Sequence, residues 1–328
     1  MEFGICFKGD MAPKRTLRLA QRAEELGFTS GWAFDSHILW KDCYTMLTYL
    51  ATNTEKMHWG TLVTNPAVRD VHVTASILAT LDILSNGRAE CGIGRGDSSL
   101  RMQGKRPRKV AEMEQAIKDI RNLTAGEKVI LDDYEFELVW SDGRPVPMWM
   151  AAYGPKSLAA AGRTADGLVL QIGDPFLVDW FVRQMRQGAA DSGRDPSEIK
   201  VMSCAPTWVG DMETARVQTR WFPAMVGNHV ADLVERYHGG ELPQAFTDYI
   251  KDRKGYDYKD HADKDADHLD FISDEIVDRF SILGDKAEHI AKLKELEAAG
   301  VDLFVMYLMS GDEEEQLDAY EEIVKAFQ

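Results

Sequence analysis

The stretch "ECGIGRGDSS" (90–99) places glycines at 92, 94 and 96 directly after an apolar run. Glycines so arranged let a backbone approach a phosphate closely. A dinucleotide loop, however, needs G-x-G-x-x-G opening a helix, with an acidic residue about 20 positions on. Here the spacing is G-x-G-x-G, and Asp97 stands where the last glycine should fall. A second stretch, Gly154-Pro155-Lys156-Ser157, reads as a helix start. Its unpaired N–H groups and partial positive charge would suit phosphate, with Lys156 and Ser157 adding a charge and a hydroxyl. Helix initiation with proline in the first turn explains the same residues. A third stretch, "DKDADHLDFISD" (263–274), imitates a calcium loop. It has His268 where glycine is needed and ends on Asp274 instead of glutamate, so a solvated polar surface is the expectation. His261 and His268 match no zinc spacing. "GKRPRK" (104–109) is a basic island in an acidic chain and reads as a solvated cluster.

The elements that must position these residues alternate. Apolar runs at 2–7, 31–34, 57–63, 88–94, 148–152, 167–173, 200–210 and 302–308 read as strands. Helical patterns follow at about 13–26, 43–54, 70–84, 108–123, 155–163, 175–190, 285–299 and at the C-terminus. Eight strand–helix units imply a parallel sheet closed into a (β/α)₈ barrel. The glycine stretch then ends the fourth strand, on the face where barrel active sites lie. Residues 127–146 read as a surface excursion with hairpin character. Residues 211–283 break the rhythm and read as a mainly helical insertion on a single barrel domain, with Trp221, Phe222, Tyr237, Phe246 and Tyr249 as aromatic anchors.

Composition narrows the function. The formal net charge of −16 excludes the basic footprint of a nucleic-acid binder. No apolar run is long enough to span a bilayer. Cys6, Cys43, Cys91 and Cys204 are widely spaced, without C-x-x-C, so a reducing cytoplasm is the expected setting. Cys6 and Cys91 read as buried strand thiols, and Met148, Met150, Met202 and Met306 as core.

"TNPAVRDVHVTASILATLDILSNGRAECGIGRGDS" (64–98) resembles the luciferase-like flavin and deazaflavin oxidoreductases, with an N-P turn, a T-L-D-x-L-S-x-G-R helix end and a strand into G-x-G-x-G-D. "AEELGFTSGWAFDSH" (23–37), "AAYGPKSLAAAGRTADGLVL" (151–170) and "KAEHIAKLKELEAAGVDLFVMYL" (286–308) extend the resemblance. The Thr64-Asn65-Pro66 turn is most similar to the branch using coenzyme F-420; other branches use FMN.

The resemblance implies a non-proline cis peptide at Leu62-Val63, behind the middle ring of the cofactor. It implies that Asp35 and His37, at the end of strand two, act on cofactor or proton, although the family's Asp-His pair is adjacent and Ser36 separates them here. It implies cofactor contacts from Thr64, Asn65, Gly94, Arg95 and Asp97, a phosphate site at Gly154, Pro155, Lys156 and Ser157, and a pocket wall at Gly173. The implied activity is hydride transfer between coenzyme F-420 and a small organic substrate, in a homodimer. FMN-dependent monooxygenation and a non-catalytic flavin-binding barrel are the alternatives.

Overall fold

Apolar runs buried on both faces become the eight strands of a closed parallel barrel with helices around it. The computed structural model describes residues 1–227, 272–309 and 312–328, with the backbone alone at 97 and 98. The barrel strands are β1 (Glu2–Phe7), β2 (Ser30–Ala33), β3 (His58–Thr64), β4 (Ala89–Ile93), β7 (Met148–Ala151), β8 (Gly167–Leu170), β9 (Lys200–Val209) and β11 (Leu303–Leu308). They are neighbours in that order, and β11 returns to β1. The expected excursion is a two-stranded antiparallel hairpin, β5 (Val129–Leu131) with β6 (Tyr134–Phe136). One strand was not expected: β10 (Ile282–Gly284) pairs parallel with Thr207–Val209.

The helices are α1 (Pro13–Glu25), α2 (Cys43–Ala51), α3 (Val71–Leu84), the short α4 (Asp97–Arg101), α5 (Val110–Thr124), α6 (Pro155–Thr164), α7 (Pro175–Asp191), α8 (Met212–Thr219), α9 (Asp274–Phe280), α10 (Lys286–Ala298) and α11 (Glu313–Lys325). By internal contacts the chain divides into two compact units, Phe3–Val169 with Gln184–Lys200, and the remainder. Of the expected insertion, α8, α9 and β10 are described, and Trp221 and Phe222 are buried. Tyr237, Phe246, Tyr249, His261, His268 and most of 263–274 lie outside the described residues.

In the first unit, the T-L-D-x-L-S-x-G-R stretch is structural. α3 ends at Leu84, and Asn86 and Gly87 turn the chain at positive φ, 57° and 83°. Both are residue types that tolerate the left-handed region. Arg88 then donates to the carbonyls of Met57 (2.6 Å), Ala51 (2.8 Å) and Thr54 (3.0 Å). It thereby ties the start of β3 and the end of α2 to the start of β4. Asp82 accepts from the Ala89 N–H and from Arg144 Nε. This stretch fixes the entry of β4, and so the register at which its other end delivers the glycines.

In the second unit, buried His289 joins α10, α11 and β9. Its Nδ1 lies 3.0 Å from the Tyr320 hydroxyl and its Nε2 3.0 Å from the Trp208 carbonyl. Burial pushes its pKa from 6.5 down to about 4, against the carbonyl contact that favours the charged ring. The folded ring is therefore neutral where an unfolded one would protonate. The stability it protects is complete above pH 6.5 and is lost as pH falls toward 4, about 3 kcal/mol in all. Urea denaturation between pH 7 and 4 should show this fall in the native chain and a flatter profile in His289→Gln, whose amide cannot titrate.

Candidate active site

Within the first unit, the ends of β2, β3, β4 and β7 carry the predicted site residues. β2 stops at Ala33, and Asp35 and His37 lie in the loop just beyond its end. Asp35 is buried, at 3% exposure. Its Oδ2 accepts from the Thr64 hydroxyl at 2.7 Å and from Arg69 at 2.6 Å. Its Oδ1 is buried with no hydrogen-bond partner. Asp35 therefore bonds to the end of β3 and the turn beyond it, and not to His37. His37 is exposed and Ser36 half-buried.

The sequence reading missed Arg69. It bridges Asp35 and Asp42, the latter at 3.0 Å, and its guanidinium lies 4.8 Å from the centre of the Tyr44 ring. Burial opposes its charge, yet Asp35 beside it raises its pKa above the ordinary arginine value. Asp42 is also the N-cap of α2, accepting from the Thr45 N–H and hydroxyl at 2.9 Å each. These bonds and Arg69 outweigh burial and lower its pKa. No periodic pattern could reveal this cluster, because Arg69 lies 34 and 27 positions from its partners.

The end of β3 is bulged. Thr61 pairs with Cys91, but Thr64 pairs with Ile93, so β3 spends three steps where β4 spends two. The peptide Leu62-Val63 is cis, as the resemblance implied. The glycines of β4 make room for this bulge. A Cβ on Gly92 would stand 2.1 Å from the Thr61 carbonyl oxygen, and one on Gly94 would stand 2.9 Å from Val63 Cγ2. The Gly94 N–H donates to the Thr64 carbonyl, and the Thr61 hydroxyl to the Gly92 carbonyl. The opening glycines thus serve the neighbouring strand.

Thr64 and Asn65 have internal partners. Asn65 Oδ1 accepts from the N–H groups of Ala67 and Val68 at 3.1 Å each, an Asx turn, and its Nδ2 donates to Ser99. Arg95 latches the basic island through the Arg108 backbone, and residues 104–109 are largely exposed. Asp97 opens α4. Gly154 caps α6, with Pro155 at its first position. Among the described residues, no acceptor meets the N–H groups of Lys156 or Ser157. These two free donors at a partly positive helix end fit an anionic tail. Gly173, in the second unit, has a packing reason of its own: its N–H donates to the Phe280 carbonyl, and a Cβ would lie 2.6 Å from that oxygen.

The second unit contains a cleft of about 720 Å³ lined by Asp174, Arg216, Asp278, Arg279 and Lys292. Its cations are engaged. Arg216 pairs with Asp278, Arg279 with Asp174, and Lys292 donates to the carbonyls of Asp278, Arg279 and Ser281. Burial lowers the Lys292 pKa to about 8, which still leaves three protons for three acceptors at neutral pH. This charged lining does not suit an apolar ring. Among the described residues, no cluster of ligands suits a metal.

The profile of the luciferase-like monooxygenase family matches residues 1–303. The chain belongs to that family. It is 32% identical over 315 residues to a 5,10-methylenetetrahydromethanopterin reductase of Methanolobus tindarius, covering 93% of each chain. It is 25% identical to an F-420-dependent glucose-6-phosphate dehydrogenase of Amycolatopsis mediterranei, covering 95% of this chain and 93% of the relative. The coenzyme F-420-dependent tetrahydromethanopterin reductase of Methanopyrus kandleri superposes with a TM-score of 0.79 at 24% identity, covering 99% of both chains. That likeness supports the barrel.

The crowding at Gly92 yields a direct test. Gly92→Ala forces a methyl group against a backbone oxygen that cannot move aside as a side chain would. It should cost about 1–3 kcal/mol or more in urea denaturation. The surrounding β3–β4 pairing should lose amide-exchange protection at Thr64 and Gly94 first.

Proposed function

We propose that this chain is a coenzyme F-420-dependent oxidoreductase, transferring hydride between the deazaflavin and a small organic substrate at the ends of β2, β3, β4 and β7. The observation that carries the reading is the bulged end of β3, bounded by Gly92 and Gly94 and tied to Asp35, in a chain whose relatives work with this class of substrate and cofactor. When bound, the deazaflavin would supply a two-electron hydride carrier that lacks the N5 that helps flavins react with oxygen.

The chain's own residues hold and orient. Leu62, Val63, Thr64 and Asn65 form a wall against the ring, and Gly94 keeps that wall free of side chain. Arg95 and Asp97 border the entrance. The N–H groups of Lys156 and Ser157, after Gly154 and Pro155, take the phosphate. Exposed His37 exchanges the proton as general acid or base. No observation favours FMN-dependent monooxygenation, whose structural neighbours support the fold alone. Four buried free thiols suit a reducing compartment, so the reading places the enzyme in the cytoplasm. It includes the homodimer, which sedimentation tests.

The functional test is a titration of the purified chain with F-420 and with FMN, followed by turnover. F-420 should bind selectively, and its reduced form should be oxidised by a small substrate, methylene-tetrahydromethanopterin being the first to try. Selective binding of FMN, or of neither, would overturn the reading. In the same assay, His37→Ala should lower turnover about 100-fold or more with F-420 affinity little changed.

A further inference from the structure

We propose that Arg69 is a positioning residue for this site: its ion pair with Asp35 holds the loop after β2, which carries Ser36 and His37, against the bulged end of β3. The inference rests on the F-420 reading. Asp35 is almost fully buried, and only Oδ2 is compensated, by the Thr64 hydroxyl and Arg69. A buried carboxylate that loses its cation is strongly penalised. Only neutral donors, the Thr64 hydroxyl and the Cys43 thiol, would be left to hold it. Arg69 also reaches Asp42 at the far end of the same loop. One side chain, set in the turn after β3, thus grips the loop at both ends. The tie at 35 is dry and strong. The tie at 42 is half-exposed and weaker.

The other groups around Asp35 do not compete for its charge. Cys43 and Tyr44 on α2 have pKa values raised well above their ordinary range, by burial first and by Asp35 among other charges. Burial pushes Cys91 on β4 up to about 12. All three are neutral between pH 4 and 8. The partners of the Arg69 guanidinium are the carboxylates of Asp35 and Asp42, so a charge effect of removing Arg69 must appear through a carboxylate.

The experiment compares Arg69→Met, Arg69→Lys, Asp35→Asn and the double variant Asp35→Asn/Arg69→Met, read without cofactor and with it. Without cofactor, thermal unfolding is followed from pH 4 to 8. In Arg69→Met the unpaired carboxylate is penalised only where it is ionised, so this variant should fall further behind the double variant as pH rises. Arg69→Lys, which keeps a cation there, should follow the wild-type profile. With cofactor, Arg69→Met should weaken F-420 binding by on the order of 10–100-fold, and adding Asp35→Asn should weaken it no further. Parallel pH profiles for Arg69→Met and the double variant would make Arg69 a packing partner of Tyr44 and overturn the proposal. So would unchanged F-420 affinity in Arg69→Met. Absence of F-420 binding by the wild type would overturn the functional reading instead, and the stability profiles would then still confirm or overturn the ion pair's hold on the loop.

Discussion

The backbones of β3 and β4 approach so closely near their ends that no side chain can stand between them. At Gly92 the space of a Cβ is filled by the Thr61 carbonyl, and at Gly94 it is nearly filled by Val63. Everything at the site follows from that crowding. The bulge turns Thr64 toward Asp35, Asp35 draws Arg69, and Arg69 draws Asp42 and with it the start of α2. Far down the same strands, Arg88 sets the register that makes the crowding possible. The site is thus organised from the strand entry upward, by backbone contacts first and by one buried charge afterward.

The architecture was legible because periodicity is local. Each strand and helix is encoded in its own residues, and the eight-fold alternation is visible without any long-range contact. The buried thiols of Cys6 and Cys91 and the core methionines follow from the same apolar runs. The bulge itself is different. No residue between Thr61 and Thr64 announces it; its trace is the missing side chains on the neighbouring strand. The glycines could be read as a phosphate loop or a turn, and only the paired coordinates show that they are a mould for the strand beside them.

Arg69 was illegible for another reason. Its turn, "NPAVRD", is explained locally by Asn65, whose amide orders the next three residues. Nothing there demands an arginine. The demand comes from a carboxylate 34 positions earlier that the fold buries. Asp35 does not reach His37 on the same ground: the carboxylate turns to the charge that compensates its burial, and the imidazole is exposed. The resemblance carried what periodicity could not, including the cis peptide at Leu62-Val63.

The structure of the chain with F-420 bound tests the account most directly. The account predicts the deazaflavin ring against Leu62–Asn65, over Gly94, with its phosphate on the N–H groups of Lys156 and Ser157. Density for the ring in the cleft lined by Asp174, Arg216 and Lys292, with the end of β3 left bare, would contradict it.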